Sequence, residues 1–197
     1  MKRVRGCAGF RSGRVLAIFL AFTSFAAAQN VELGLSPQQT AIQYTLDASF
    51  HTVHGTFQLK NGDLHFDPAT NRLWGAIVVD ARSGETGNGS RDRKMHKEVL
   101  ESEHYPEIAF RPSRVEGTVA MQGKSSVQVH GIFAIHGAEH EVTVPAEIEM
   151  FPDRWIATLH FAVPYVQWGM KNPSNFFLRV SESVEVEVST AGMALRR

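Results

Sequence analysis

The chain has 197 residues, 43% hydrophobic and 20% charged, with a formal net charge of zero. These values fit an ordinary globular protein and exclude an acidic or basic disordered tail, a collagen-like fibre and a multi-span helical membrane protein. They also argue against a nucleic-acid binder carried by bulk positive charge.

The first residues read as an address rather than as part of a fold. Lys2, Arg3, Arg5, Arg11 and Arg14 form a positive front without an acid, and residues 15–25 are apolar apart from Thr23 and Ser24. That run is shorter than the roughly 20 residues a spanning helix needs. Ala26-Ala27-Ala28 then supplies small residues for cleavage, so residues 1–28 are expected to be a secretory signal peptide. Its removal takes away five cations and the one cysteine, Cys7, leaving a net charge of −5. The exported protein would have no disulfide, no thiol nucleophile and no thiolate ligand, so its core must hold the fold alone. Its mild negative charge argues against binding nucleic acid or anionic head groups through charge alone.

Residues 29–40 carry Gly34, Pro37 and three glutamines and read as a flexible lead-in. From Ala41 the chain alternates with period two, the mark of half-buried strands. Val53, Gly55, Phe57 and Leu59 share one face, and Asn61-Gly62 predicts a hairpin turn returning through residues 63–66. Residues 67–71 form a turn cluster, and 72–80 the next strand. Ser90 is placed to cap a helix from Arg91 to about Glu103, ended by Pro106. Ile108 and Phe110 begin another strand. Val127, Val129, Gly131, Phe133 and Ile135 line one face of a long one, and Val142 to Met150 another after His136-Gly137-Ala138. Residues 151–154 are a turn with Pro152. Ala157, Leu159, Phe161 and Val163 alternate next, Val184, Val186 and Val188 form the last strand, and residues 191–197 read as a frayed tail.

About eight strands joined by short turns, with one helix, make an antiparallel sheet with one wet and one dry face. It must fold into a sandwich or close into a barrel; closure removes both edges at once. The domain is expected to span 41–190 as an eight-stranded antiparallel barrel.

Candidates for chemistry are sparse. Nine histidines include His51, His54, His65, His136 and His140, yet none forms a recognised metal-ligand spacing, and His51 and His54 would face opposite ways on a strand. No Gly-x-Ser-x-Gly elbow is present. Glu98, Glu101 and Glu103 read as a solvated helix face. The glycine-rich segment 83–90 could offer N–H groups to an anion, or simply join strand to helix, and Asn88-Gly89-Ser90 is also a glycosylation sequon. No catalytic residue, metal or cofactor is expected. The dry face remains, with Phe57, Leu59, Trp74, Phe110, Phe133, Ile135, Leu159 and Phe161 as its candidates. Trp168, Phe176 and Phe177, from the irregular stretch 164–178, are candidates for a mouth. A bore packed solid with these rings is the alternative.

Four ordered segments carry a resemblance. They are His51-Thr52-Val53-His54-Gly55-Thr56-Phe57, Thr86-Gly87-Asn88-Gly89-Ser90-Arg91-Asp92, Tyr105-Pro106-Glu107-Ile108-Ala109-Phe110, and the hairpin from Phe133 through His136-Gly137 to Val142. Together, over about residues 42–189, they resemble the YceI-like proteins. The resemblance implies a lipocalin-like barrel whose apolar bore holds a hydrocarbon chain, an isoprenoid or isoprenoid quinone. It implies a non-enzymatic binding protein, periplasmic or secreted, without stable membrane insertion once the signal is removed. Phe57, Leu59, Trp74, Phe110, Phe133, Ile135, Leu159 and Phe161 would then be wall residues, and Arg91 and Asp92 are expected to form a structural ion pair or loop anchor, with head-group contact as the second option. A metal-assisted hydrolase using histidines, a solid-core interaction protein, and a homodimer are the readings that sequence leaves open.

Overall fold

The computed structural model describes residues 30–196; the expected signal peptide lies outside these residues. Eight strands follow one another as β1 (Val31–Ala48), β2 (His51–Asp67), β3 (Arg72–Glu85), β4 (Glu107–Glu116), β5 (Gly123–Ile135), β6 (Ala138–Met150), β7 (Arg154–Val163) and β8 (Val184–Arg196). Each pairs antiparallel with the next, and β1 pairs with β8, so the sheet closes into a barrel. Between β3 and β4 lie α1 (Gly89–Lys94) and a π-helical turn (Met95–Val99).

The expected alternation sets the two faces. Ile42, Tyr44 and Leu46 point inward with Val184, Val186 and Val188 beside them, while the intervening Glu185 and Glu187 face water. The hairpin of β5 and β6 turns on His136 and Gly137, at φ 51° and 73°. Positive φ at both central residues matches the twist of the flanking strands, which is why glycine suits the second.

Several sequence expectations are corrected. Asn61-Gly62 is not a turn: β2 runs straight through it. The pairing of β2 with β3 slips between Leu59 and Asn61, so these residues mark a bulge that bends a long strand. The hairpin lies earlier, at Ser49-Phe50, between β1 and β2. Residues 31–40 are not a lead-in, and residues 191–196 are not frayed. Val31 is fully buried in the core, and Val31 to Leu35 pair with Arg196 to Gly192 to make the closing seam. The polar composition that suggested looseness belongs to the irregularity between Leu35 and Thr40, where the register shifts. The barrel therefore extends beyond 41–190 at both ends. The helix is also shorter than expected, and its cap is Asn88, not Ser90. The Asn88 side-chain oxygen accepts from the N–H of Ser90 and Arg91, both at 3.1 Å. That bonding leaves these N–H groups engaged within the chain.

Two apolar clusters sit at the two ends of the bore. One surrounds Val31, Phe66, Met150 and Trp155. The other lies beneath the helix and includes Leu100, Tyr165 and Met170.

Candidate binding cavity

Between the clusters the bore is not filled. A cavity of about 690 Å³ runs through it, lined by residues of all eight strands. This is within the range of roughly 300–1,000 Å³ typical of small-molecule sites. Its wall follows the strand registers in layers. Trp155 faces Gly192, Ala157 faces Thr190, Leu159 faces Val188 and Phe161 faces Val186. The wall is almost wholly apolar. Its polar members gather at the α1 end, where Thr86, Asn88, Ser90, Arg91 and Lys94 join His51 and Pro173. Thr40 and Thr190 are exceptions within the wall, and their hydroxyls bond each other at 2.7 Å.

The mouth is held by a short hydrogen-bond relay. Asp92 Oδ1 accepts from Thr86 N–H at 3.0 Å and from Thr86 Oγ1 at 2.5 Å. Arg91 donates Nε to Thr86 Oγ1 at 2.7 Å and Nη2 to Thr86 O at 3.1 Å. Arg91 and Asp92 thus meet through Thr86 and fasten the strand-to-helix loop. His96 fastens the next turn, with Nε2 at 2.8 Å from Gly84 O and Nδ1 at 3.0 Å from Ser102 Oγ. Across the mouth, Lys94 Nζ donates to Pro173 O at 2.9 Å, and Lys171 Nζ pairs with Glu98 at 2.7 Å.

Two tyrosines near this end, Tyr44 and Tyr165, have raised pKa values. The Tyr44 ring lies 5.3 Å from that of Phe57, and its hydroxyl donates to Met95 Sδ at 3.1 Å. Burial, assisted by the Asp92 carboxylate, raises its pKa to about 12 against a smaller opposing pull from Arg91. Gly55 makes room for that ring, since a Cβ there would stand 2.3 Å from Tyr44 Cζ. Tyr165, whose hydroxyl donates to Ser181 O at 2.7 Å, is likewise raised to about 12, mainly by burial.

Of the residues anticipated from sequence, Phe57, Phe110, Phe133, Ile135, Leu159 and Phe161 line the cavity. Leu59 is buried at the bulge opposite Val79 but is not part of the lining. Trp74 is not a wall residue. It lies on the outer face, stacked on its cross-strand partner His65 at 5.5 Å with the Arg72 guanidinium 5.4 Å from its ring. Leu73 takes the inward position instead. Trp168 backs the wall, 5.7 Å from Phe133 and stacked at 4.1 Å on His140, without lining the cavity. Phe176 and Phe177 are 94% and 81% exposed, while the neighbouring Leu178 lines the cavity. Tyr44, Trp155 and Tyr165 were missed as wall residues. The first two had a signal, because Tyr44 alternates with Ile42 and Leu46, and Trp155 with Ala157. Tyr165 lies beyond the end of β7, where alternation gives no guidance. Among the described residues no three His, Cys, Asp or Glu side chains converge as a metal site requires, and no helix is long and apolar enough to cross a membrane.

An eight-stranded up-and-down barrel with a single apolar bore and a polar-rimmed end is the architecture of lipocalin-like proteins. A sequence model of the YceI-like domain matches residues 34–191, and the chain belongs to that family. Among solved structures it is similar to BcnA of Burkholderia cenocepacia, with a TM-score of 0.65 at 15% identity over 80% of this chain and 99% of that one. A polyisoprenoid binding domain from Saccharophagus degradans, implicated in plant cell wall breakdown, gives 0.63 at 13% identity over 83% and 98%. The Campylobacter jejuni YCEI protein gives 0.54 at 13% identity over 98% of both chains. No curated protein matches the sequence significantly.

Proposed function

We propose that this protein is a non-enzymatic carrier that encloses one apolar lipid, an isoprenoid or isoprenoid quinone, in the barrel bore. The observation that carries the reading is the apolar cavity of about 690 Å³ with its polar groups concentrated at one end. Such a wall suits a chain that gains about 0.8 kcal/mol for each methylene withdrawn from water. Specificity would follow from bore length and the shape of the mouth. Membership of the YceI-like family and the fold shared with a polyisoprenoid binding domain support this choice of lipid. The amino-terminal pattern of residues 1–28 supports export to the periplasm or beyond, where a water-insoluble molecule needs a carrier to cross an aqueous space.

The test is native mass spectrometry of protein purified from its own host without detergent, followed by organic extraction. A stoichiometric adduct that extracts as a long-chain lipid is the expected result. An empty protein that also declines long-chain lipids offered in solution would end the proposal.

A further inference from the structure

The mouth carries an exposed aromatic cluster that the bore itself does not need. Phe50, Phe176 and Phe177 are 81%, 94% and 81% exposed, the three most exposed large apolar side chains among the described residues. They come from two loops stitched together. Ser49 N–H donates to Arg179 O at 2.9 Å, and Arg179 N–H donates to Ser49 Oγ at 3.1 Å. Ser181 N–H donates to Asp47 O at 2.8 Å, and Ala48 bridges Val180. Asn175 Oδ1 accepts from the N–H of both Phe177 and Leu178, which holds the two phenylalanines at a turn with their rings 5.2 Å apart. The adjoining Leu178 and Val180, and Ala48 on the other loop, line the cavity. The exposed rings are therefore continuous in sequence with the entrance wall.

Charge at this end runs opposite to the rest of the molecule. Segments 89–98 and 171–180 hold Arg91, Arg93, Lys94, Lys97, Lys171 and Arg179 against only Asp92 and Glu98. The remaining residues from 29 onward carry twice as many carboxylates as cations. Asp47 and Glu182 also lie near the mouth, so the rim is basic but not uniformly so. Arg93, Lys97, Lys171 and Arg179 are exposed. Aromatic side chains ringed by cations match the boundary between head groups and acyl chains of an anionic bilayer.

We propose that this end is a membrane-docking face. Phe50, Phe176 and Phe177 enter the interfacial layer of an anionic lipid surface, the basic rim meets the head groups, and the mouth opens against the bilayer. The proposal rests on the reading of the bore as a lipid site and adds where its ligand is collected or delivered. The net charge of −5 expected once residues 1–28 are removed does not oppose it, because screening restricts the interaction to charges within about 8 Å of the surface.

Vesicle flotation tests it, with phosphatidylcholine–phosphatidylglycerol vesicles beside pure phosphatidylcholine. The wild type should float with the mixed vesicles, lose binding as salt is added, and bind pure phosphatidylcholine more weakly. The double variant Phe176→Ser with Phe177→Ser should lower partitioning about tenfold or more. Arg179→Glu should lower it by roughly fivefold or more on mixed vesicles only. Unchanged melting temperatures would show that these exposed substitutions leave the barrel folded. No flotation of the wild type, or a double variant that floats equally well, overturns the proposal. So does a self-association of the wild type that the double variant abolishes without vesicle binding, since the rings would then serve a second copy. Uptake of a fluorescent long-chain lipid from detergent solution, measured on the same proteins, separates the two readings. Uptake without flotation refutes only the docking face, and flotation without uptake refutes only the bore as the lipid site.

Discussion

Ala157 offers a direct way to ask whether the bore is where a lipid sits. Its side chain lines the cavity on β7, 4% exposed, with Ile148 and Thr190 as its cross-strand partners. Ala157→Phe adds a ring of six carbons to the cavity wall. An acyl or prenyl chain that fills the bore would lose burial of roughly three to six methylenes, at about 0.8 kcal/mol each. That is about 2.4–4.8 kcal/mol, or roughly 50- to 3,000-fold in affinity. Titration of a fluorescent long-chain lipid, followed by displacement with unlabelled chains of graded length, measures it. Long chains should lose affinity within that range, while chains short enough for the remaining volume should keep theirs. The fold should hold or gain slightly, since a ring entering a void adds dispersion contacts without opening a new cavity. Ala146→Phe, on β6 and also lining the cavity, should repeat the pattern from a second strand. If both variants stay folded and bind long chains as the wild type does, the site is elsewhere.

Three further outcomes follow from particular contacts. Gly192→Ala would set a Cβ 1.8 Å from Gly34 O across the β1–β8 seam. The backbone must part to accept it, so chemical denaturation should show a loss of about 3 kcal/mol or more. The alkaline limb of stability should report Tyr44. Its folded pKa is raised to about 12 from 10.0, so the unfolded chain releases its proton first. Stability from this group is complete below pH 10 and declines between pH 10 and about 12, by roughly 2–3 kcal/mol in all. Tyr44→Phe should remove its share of that decline and leave the share of Tyr165, and a phenolate absorbance titration that shows every tyrosine ionising near pH 10 would contradict the assignment. Asp92→Ala removes the acceptor of two Thr86 hydrogen bonds, at a cost of roughly 1.5–3 kcal/mol for bonds to a charged group. Hydrogen exchange should quicken at residues 86–91 while the strands stay protected; unchanged protection there would show that the relay does not hold the mouth.

Alternation assigned most inward positions, because a period of two places every second side chain on one face whatever the partner strand, but it split β2 in two at Asn61-Gly62 and left residues 31–40 of β1 outside the sheet. It located Phe57, Phe110, Phe133, Ile135, Leu159 and Phe161, which line the cavity. Alternation does not say which face is inside where both are apolar. Leu73 and Trp74 compete on β3, and the smaller residue turned inward while the indole found His65 and Arg72 outside. Local turn chemistry likewise failed at Asn61-Gly62, where pairing with Val78 and Ile77 of β3 carried the strand onward through a bulge while the β1 edge is interrupted between Phe57 and Asp63.

What the sequence determined by itself was a set of antiparallel strands with one greasy face and a glycine-rich entry to a short helix. Closure, the seam of Val31–Leu35 against Gly192–Arg196, and the vacancy of the bore were decided only in three dimensions. The physical reason is that side-chain volume is a property of residues, whereas the space they must fill is set by strand tilt, stagger and closure. The same apolar positions could have packed a sandwich solid; wrapped around a barrel axis, they stop short of one another and leave room for a guest.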